Sequence, residues 1–219
     1  THLYKQILSS LRLLKSSESI DLQLTELFDN AHILYKKGLF LQSLRLIEKA
    51  KELARTHRKN NILPQLLSLE KRIESLHITR NIQHRALALS QEVTEVNQHI
   101  DRIGRLSNLS LQLYAWFVEH GHARNENDEQ EVRAFMRWSL PDDAWSLEGF
   151  YEKLYLYQSM TWFAFIRQDF LQYYRYSQKW VDLFRQNPDM IRVETGHYIK
   201  AIRSEEHTSE LQSRLHLVC

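Results

Sequence analysis

A chain of 219 residues with only 5 glycines and 3 prolines has little with which to interrupt a helix. Glycine and proline are the strongest local breakers, and sandwiches or barrels need turn signals about every ten residues. Scarce punctuation therefore predicts long helices joined by short turns. The apolar spacing agrees. Leu27, Ala31, Leu34 and Tyr35 fall on one helical face, and Leu44, Ile47, Ala50 and Leu53 on another. Gly38 stands between the two runs, where a tight turn favours a residue that tolerates positive φ. Residues from about Thr25 to Arg58 read as a helix hairpin.

That hairpin resembles a tetratricopeptide repeat. The family's small contact residues fall on Ala31, Ser43 (where it prefers alanine) and Ala50, and its glycine-plus-aromatic turn on Gly38 and Phe40. The closing proline is absent, with Arg55 near its place. A weaker match runs from about Leu154 to Asn187. Tyr157 and Phe170 take aromatic places and Pro188 closes the unit. Tyr173 and Trp180 stand where small residues are usual, which predicts a wider helix pair. A third hairpin, from Asn108 through His120 and Gly121 to about Met136, carries a long polar loop. The resemblance implies a stacked array with an extended concave surface that binds proteins.

A stretch of different character lies between. Leu66, Leu69, Ile73 and Leu76 repeat at helical steps, and a break is expected near His77 to Arg80. Ile82, Ala86, Leu89, Val93, Val96, Ile100 and Ile103 then alternate steps of four and three. Two long helices are expected, the second over about 80–104. Its seam either packs within the chain or forms a homodimer through this long-helix arm, and the monomer mass by light scattering decides between them. Asp21 or Thr25 is expected to cap the helix that carries Leu27. Pro64 suits a helix's first turn, Asp142 and Asp143 cap the segment through Phe150, and Asn187-Pro188 stops the helix ending near Phe184.

The last residues pose a separate question. Arg203 to Ser213, RSEEHTSELQS, is similar residue for residue to one reading frame of a short-read sequencing adapter, and Arg214 to Cys219 fit its continuation. The alternative is a short polar helix with Leu211, Leu215 and Val218 roughly on one face. The resemblance implies that the biological chain as given stops near Ile202. Without the tail, 27 basic and 24 acidic residues remain, a net charge of +3, and the only cysteine, Cys219, is lost. A cysteine-free segment has no disulfide framework, thiolate zinc site or cysteine nucleophile, and fits a reducing cytoplasm.

The small charge, +2 for the whole chain, leaves no electrostatic footprint for nucleic acid. No apolar run approaches the roughly 18 residues that span a bilayer. No signal peptide is expected, although the chain opens at Thr1 rather than methionine, so a leader could precede it. Phosphate-binding glycine loops and nucleophile-elbow motifs are missing, so neither catalytic residues nor cofactors are expected. His120 and His122 form an HxH, but ligands on a helix need spacings of three or four, so these read as surface histidines and no metal is expected.

Phe150 to Trp180 is the most unusual segment, with aromatics at twelve positions spread too widely for one helical face. One reading is helices packed on both sides, with tyrosine hydroxyls reaching solvent or partners. The other is a groove where Tyr173, Tyr176, Arg167, Arg175 and Lys179 receive a peptide, since tyrosine and arginine dominate binding hot spots. A platform for single-stranded nucleic acid fits the modest charge least well.

The expected fold is all-α: a tetratricopeptide-like array of helical hairpins with a long-helix, coiled-coil-like insertion. Residues 1–60 hold the N-terminal hairpin, 61–105 the long-helix arm, 106–202 the aromatic-rich hairpins and 203–219 the adapter-like tail. The expected function is a protein-binding scaffold or adaptor. The alternative is the helical regulatory or sensor part of a larger enzyme or transcription regulator.

Overall fold

The computed structural model describes residues 2–15, 19–77 and 82–216. Among these residues every regular element is a helix. In chain order they are α1 (His2–Lys15), α2 (Ile20–Lys36), α3 (Phe40–Thr56), a single 3-10 turn (Asn60–Ile62), α4 (Leu63–His77), α5 (Ile82–His120), α6 (Glu126–Ser139), α7 (Phe150–Ile166), α8 (Phe170–Gln186), α9 (Asp189–Val193) and α10 (Thr195–His216). The chain divides into two compact units, Thr1–Ile100 and Asp101–Cys219.

In the N-terminal unit, α2 packs on α3 across the turn at Lys37, Gly38 and Leu39. Gly38 has φ +76°, the left-handed value that glycine adopts without strain. The Tyr35 and Phe40 rings meet behind the turn at 5.9 Å. Ala31, Ser43 and Ala50 are buried, and the Ser43 hydroxyl donates to the Ala31 carbonyl at 2.8 Å. A small residue lets the helices close, and the hydroxyl finds an acceptor that no solvent could supply there. The buried face of α3 is rotated from the expected one. Ser43, Ile47, Ala50, Lys51 and Ala54 form it, while Leu44 and Leu53 are half-buried. Leu66, Leu67, Leu69 and Ile73 of α4 complete the core, and Leu89, Val93 and Val96 of α5 pack against it. That part of the heptad seam is thus occupied within the chain, whereas Leu76 points outward. The expected break near His77 to Arg80 lies outside the described residues, apart from His77, with which α4 ends.

Several boundaries differ from expectation. Ser19 caps α2, its hydroxyl accepting from Leu22 N–H at 3.4 Å, while Asp21 and Thr25 lie inside the helix. Pro64 does sit in the first turn of α4. The heptad helix does not stop at Gly104 but continues to His120. One glycine lowers helix propensity by about 1 kcal/mol, and the buried contacts of Leu106, Leu109 and Leu113 beyond it outweigh that. The long polar loop shrinks to residues 121–125, because Asn125 caps α6 by accepting from Asp128 N–H at 2.9 Å.

The C-terminal unit pairs α7 with α8 and α8 with α10. Gly149 precedes α7, and its N–H donates to the Glu152 carboxylate at 3.1 Å, so Glu152 takes the capping role expected of Asp142 and Asp143. Helix α8 runs past the expected end at Phe184 to Gln186, and Asn187 and Pro188 follow it. Buried Ser159 donates to Tyr155 O at 2.7 Å and Leu106 O at 3.4 Å, marking a close approach of α7 to α5. Gly121 (φ +77°) turns the chain after α5, and Ala123 N–H then donates to Ile166 O at 2.8 Å. Helix α10 runs unbroken through the adapter-like segment as far as His216, and Leu217 to Cys219 lie outside the described residues.

Candidate functional site

Helix α7 is apolar around its whole circumference, so it must be covered on every side. The polar residues embedded in it are therefore informative. Thr161 and Ser159 satisfy their hydroxyls on carbonyls four residues back, Tyr157 O and Tyr155 O, both at 2.7 Å. Gln158 does not: its side chain is 8% exposed and its Oε1 has no partner among the described residues. On α8, Trp180 is 2% exposed and its indole N–H is likewise unpartnered. Trp116 Nε1, Ser177 Oγ and the Nδ1 of half-buried His197 on α10 are further such atoms. Leaving one buried donor or acceptor unpaired costs about 1–3 kcal/mol.

Gln158, Trp180 and His197, but not Trp116 or Ser177, line a cavity of about 550 Å³ within the C-terminal unit. Leu111, Tyr114, Tyr155, Trp162, Phe165 and Tyr173 make its aromatic and apolar wall. Ring contacts fix that wall: Tyr114 to Trp162 at 5.1 Å, Trp162 to Phe165 at 6.0 Å and Phe165 to Tyr173 at 5.2 Å. His197 stands edge-on to Tyr155 at 5.6 Å. Burial holds the His197 imidazole below its usual range, against the opposing pull of Glu194 and helped by Lys200. Burial raises the Tyr155 and Tyr173 phenols, Glu194 adding to the effect at Tyr155 and a hydrogen bond with Ser204 opposing it at Tyr173. Lys200 and Arg203 are the lysine and arginine on the lining, and no carboxylate stands among its described residues.

The five expected partner-binding residues divide between environments. Tyr173 and Tyr176 lie on the buried face of α8, and Tyr173 faces the cavity. Tyr176 packs near Trp145, ring centres 6.3 Å apart, with the Lys179 ammonium 5.1 Å from its own ring centre. Burial raises the Tyr176 phenol, against the charge of Arg175. Arg175 and Lys179 are exposed. Arg167 caps the end of α7, donates to Glu129 at 3.1 Å and lies over the Phe163 ring. Glu129, bonded by Arg133 and Arg167, is held below the usual carboxylate range.

The two HxH histidines take separate structural jobs. His120 Nδ1 lies 3.1 Å from Trp116 O and its ring stacks on that indole. His122 Nδ1 lies 2.9 Å from Phe165 O, its ring between Phe117 and Phe165. Among the described residues no three His, Cys, Asp or Glu side chains come together as a metal group.

The C-terminal unit buries Glu152 against Arg102 at 2.9 Å, and the N-terminal unit buries a larger charged network. Lys51 and Glu70 are each 1% exposed and pair at 2.9 Å. Lys51 also reaches Glu92 at 3.1 Å and Glu48 at 3.3 Å, while Arg85 pairs with Glu70 and Arg55 with Glu92. Burial alone would depress the Lys51 ammonium, but the bonds and charges of Glu70 and Glu92 outweigh it and raise its pKa.

Sequence reasoning did not single out Gln158, His197 or Lys200, and treated Trp180 as a packing residue. Polar residues on an otherwise all-apolar helix were the available signal for Gln158. Nothing local marks His197. Comparison with known protein families, curated proteins and solved structures finds no match.

Proposed function

We propose that the protein is an interaction scaffold or adaptor of the helical-repeat type and works by binding rather than catalysis. The carrying observation is the apolar face of α1, where Leu3, Tyr4, Ile7, Leu8 and Leu11 are all exposed at helical spacing. Such a stripe gains from burial against a partner, at roughly 25 cal/mol per Å² of apolar surface removed from water. The tetratricopeptide reading of α2 and α3 draws support from Ala31, Ser43 and Ala50, which are buried where that motif packs closely. A cytoplasmic setting belongs to the same proposal and rests on the cysteine-free composition of residues 1–202. So does the proposal that residues 203–219 derive from an adapter. Affinity capture from the source organism tests the scaffold. A protein retained by the wild type and lost with the pair Tyr4→Glu and Leu8→Glu supports it, and identical retained sets count against it.

A second reading, the sensor part of a larger enzyme or regulator, is favoured by the cavity of the C-terminal unit. Its volume, about 550 Å³, and its wall of Tyr114, Trp162, Phe165 and Tyr173 are those of a small-molecule site.

A further inference from the structure

We propose that the cavity of the C-terminal unit is a binding site for a small uncharged aromatic molecule, seated against Tyr114, Trp162, Phe165 and Tyr173. The ligand class deepens the sensor reading and rests on it for biological purpose. Binding is measured on the chain itself, so a ligand that binds without any regulatory effect would defeat the sensor reading and leave the site intact.

The wall is built from three helices. Tyr114 comes from α5, Trp162 and Phe165 from α7 and Tyr173 from α8, and each ring meets the next within 6.0 Å. None of these contacts is a parallel stack: the interplanar angles are 49°, 73° and 38°. Rings tilted against one another suit offset and edge contacts with a flat guest. The mouth adds a second observation. Leu111 and Tyr114 line the cavity, yet they are 65% and 47% exposed. Their apolar surface stays in water until a guest covers it, which favours occupancy by an apolar molecule.

The polar groups argue against a charged guest. Gln158 and Trp180 are lining residues, but Gln158 Oε1 and Trp180 Nε1 have almost no accessible surface, so neither bonds to a guest. Lys200 shares a neighbouring cleft with Glu194 and His197, so its ammonium has a carboxylate close by to offset it. Arg203 belongs to the adapter-like segment, whereas Leu111 and the four rings all precede it. Moving a charge from water onto an apolar wall with no matched partner is costly, and an uncharged ring system carries no such cost.

Two probes share one ring system and differ in charge: the uncharged N-phenyl-1-naphthylamine and 1-anilinonaphthalene-8-sulfonate. Fluorescence titration of the full chain is expected to show one saturable site for the neutral probe, with the sulfonate at least about tenfold weaker. Leu111→Glu and Tyr114→Ala change exposed side chains at the mouth, and each is expected to weaken the neutral probe about fivefold or more. Lys200→Gln is expected to leave it within about twofold. The pair Tyr4→Glu and Leu8→Glu on α1 is expected to leave the saturable site unchanged, which separates the cavity from the exposed apolar face. Ser204 and His207 both reach Tyr173, so the demanding control replaces Arg203, Ser204 and His207 together by alanine. That variant is expected to bind the neutral probe within about threefold of the unaltered chain. Several results would overturn the proposal: a sulfonate that binds as tightly as the neutral probe, non-saturating binding, or an affinity untouched by both mouth variants. So would an affinity lost with Lys200→Gln, with the α1 pair or with the triple alanine variant. Near-ultraviolet circular dichroism identifies any variant that has lost its packing, and in that case the two mouth variants and the comparison of probes decide.

Discussion

The two units differ in how fully they satisfy the polar groups they bury. The N-terminal unit takes a lysine and a glutamate out of water and satisfies them: Lys51 reaches Glu70, Glu92 and Glu48, and Arg85 covers the other side of Glu70. The C-terminal unit pairs its buried Glu152 with Arg102 at 2.9 Å, but leaves Gln158 Oε1, Trp180 Nε1 and His197 Nδ1 without partners among the described residues. A closed network spans α3, α4 and α5 and sets their register. Open valences around a cavity do nothing for the fold and cost it stability.

The largest expected effect breaks the closed network. Lys51→Met should destabilise the N-terminal unit by about 3 kcal/mol in urea unfolding, because Glu70 stays buried with less compensation. The double change Lys51→Met with Glu70→Leu should recover most of that loss, since apolar residues of similar size replace buried pairs at little cost. A single variant as stable as wild type would remove the contrast between the units.

In the C-terminal unit the sign should reverse. Gln158→Leu is expected to stabilise by about 1 kcal/mol, because it deletes an unpartnered acceptor while keeping volume. A loss of stability would mean that Gln158 is already satisfied. Gly104→Ala should also stabilise, by up to about 1 kcal/mol, since Gly104 lies inside α5 and an added Cβ meets nothing within 4 Å. A destabilised variant would argue against a continuous helix there.

Alkali should act on the closed network. The Lys51 pKa is raised above its ordinary 10.5, so its contribution is complete below 10.5 and fades as pH climbs through the raised value. Urea midpoints measured upward from pH 10 (roughly the ordinary lysine range) should fall more steeply for wild type than for Lys51→Met. Parallel curves would show that the ammonium is not what the network depends on.

The smallest expected effect concerns the tail. Glu205 accepts from Gln178 at 2.6 Å and lies 3.7 Å from Arg185. Glu205 is half-buried but Arg185 is exposed, and Glu205→Gln keeps an oxygen that can accept from Gln178, so the change should cost about 0.5 kcal/mol or less and barely shift the melting temperature. Adapter-free sequencing of the source locus across codon 203 tests the adapter proposal directly. A frame that departs at Arg203 supports it, and the same bases in the genome overturn it.

Much of the architecture was legible along the chain. The α2–α3 turn at Gly38 and the buried Ala31 and Ala50 follow from spacing, and the places of Phe40 and Ser43 are what the tetratricopeptide resemblance implied. The end of α5 was not legible, because a lone glycine is a weak stop and the packing of Leu106, Leu109 and Leu113 decides whether it is honoured. Lys51 sits between Ile47 and Ala54 at core spacing, so its place on the buried face could be read. That it would be paired rather than turned outward could not, because Glu70 and Glu92 come from other helices.

By itself, then, the sequence determined the helical class, the hairpin turn and the crowding of aromatics between Phe150 and Trp180. These depend on residues a few positions apart, within reach of local sterics and periodicity. Only the tertiary structure decided where the buried charges meet, and that Gln158, Trp180 and His197, from three different helices, face one cavity. Whether a buried polar atom finds a partner depends on neighbours distant in the chain, and no local pattern encodes that distance.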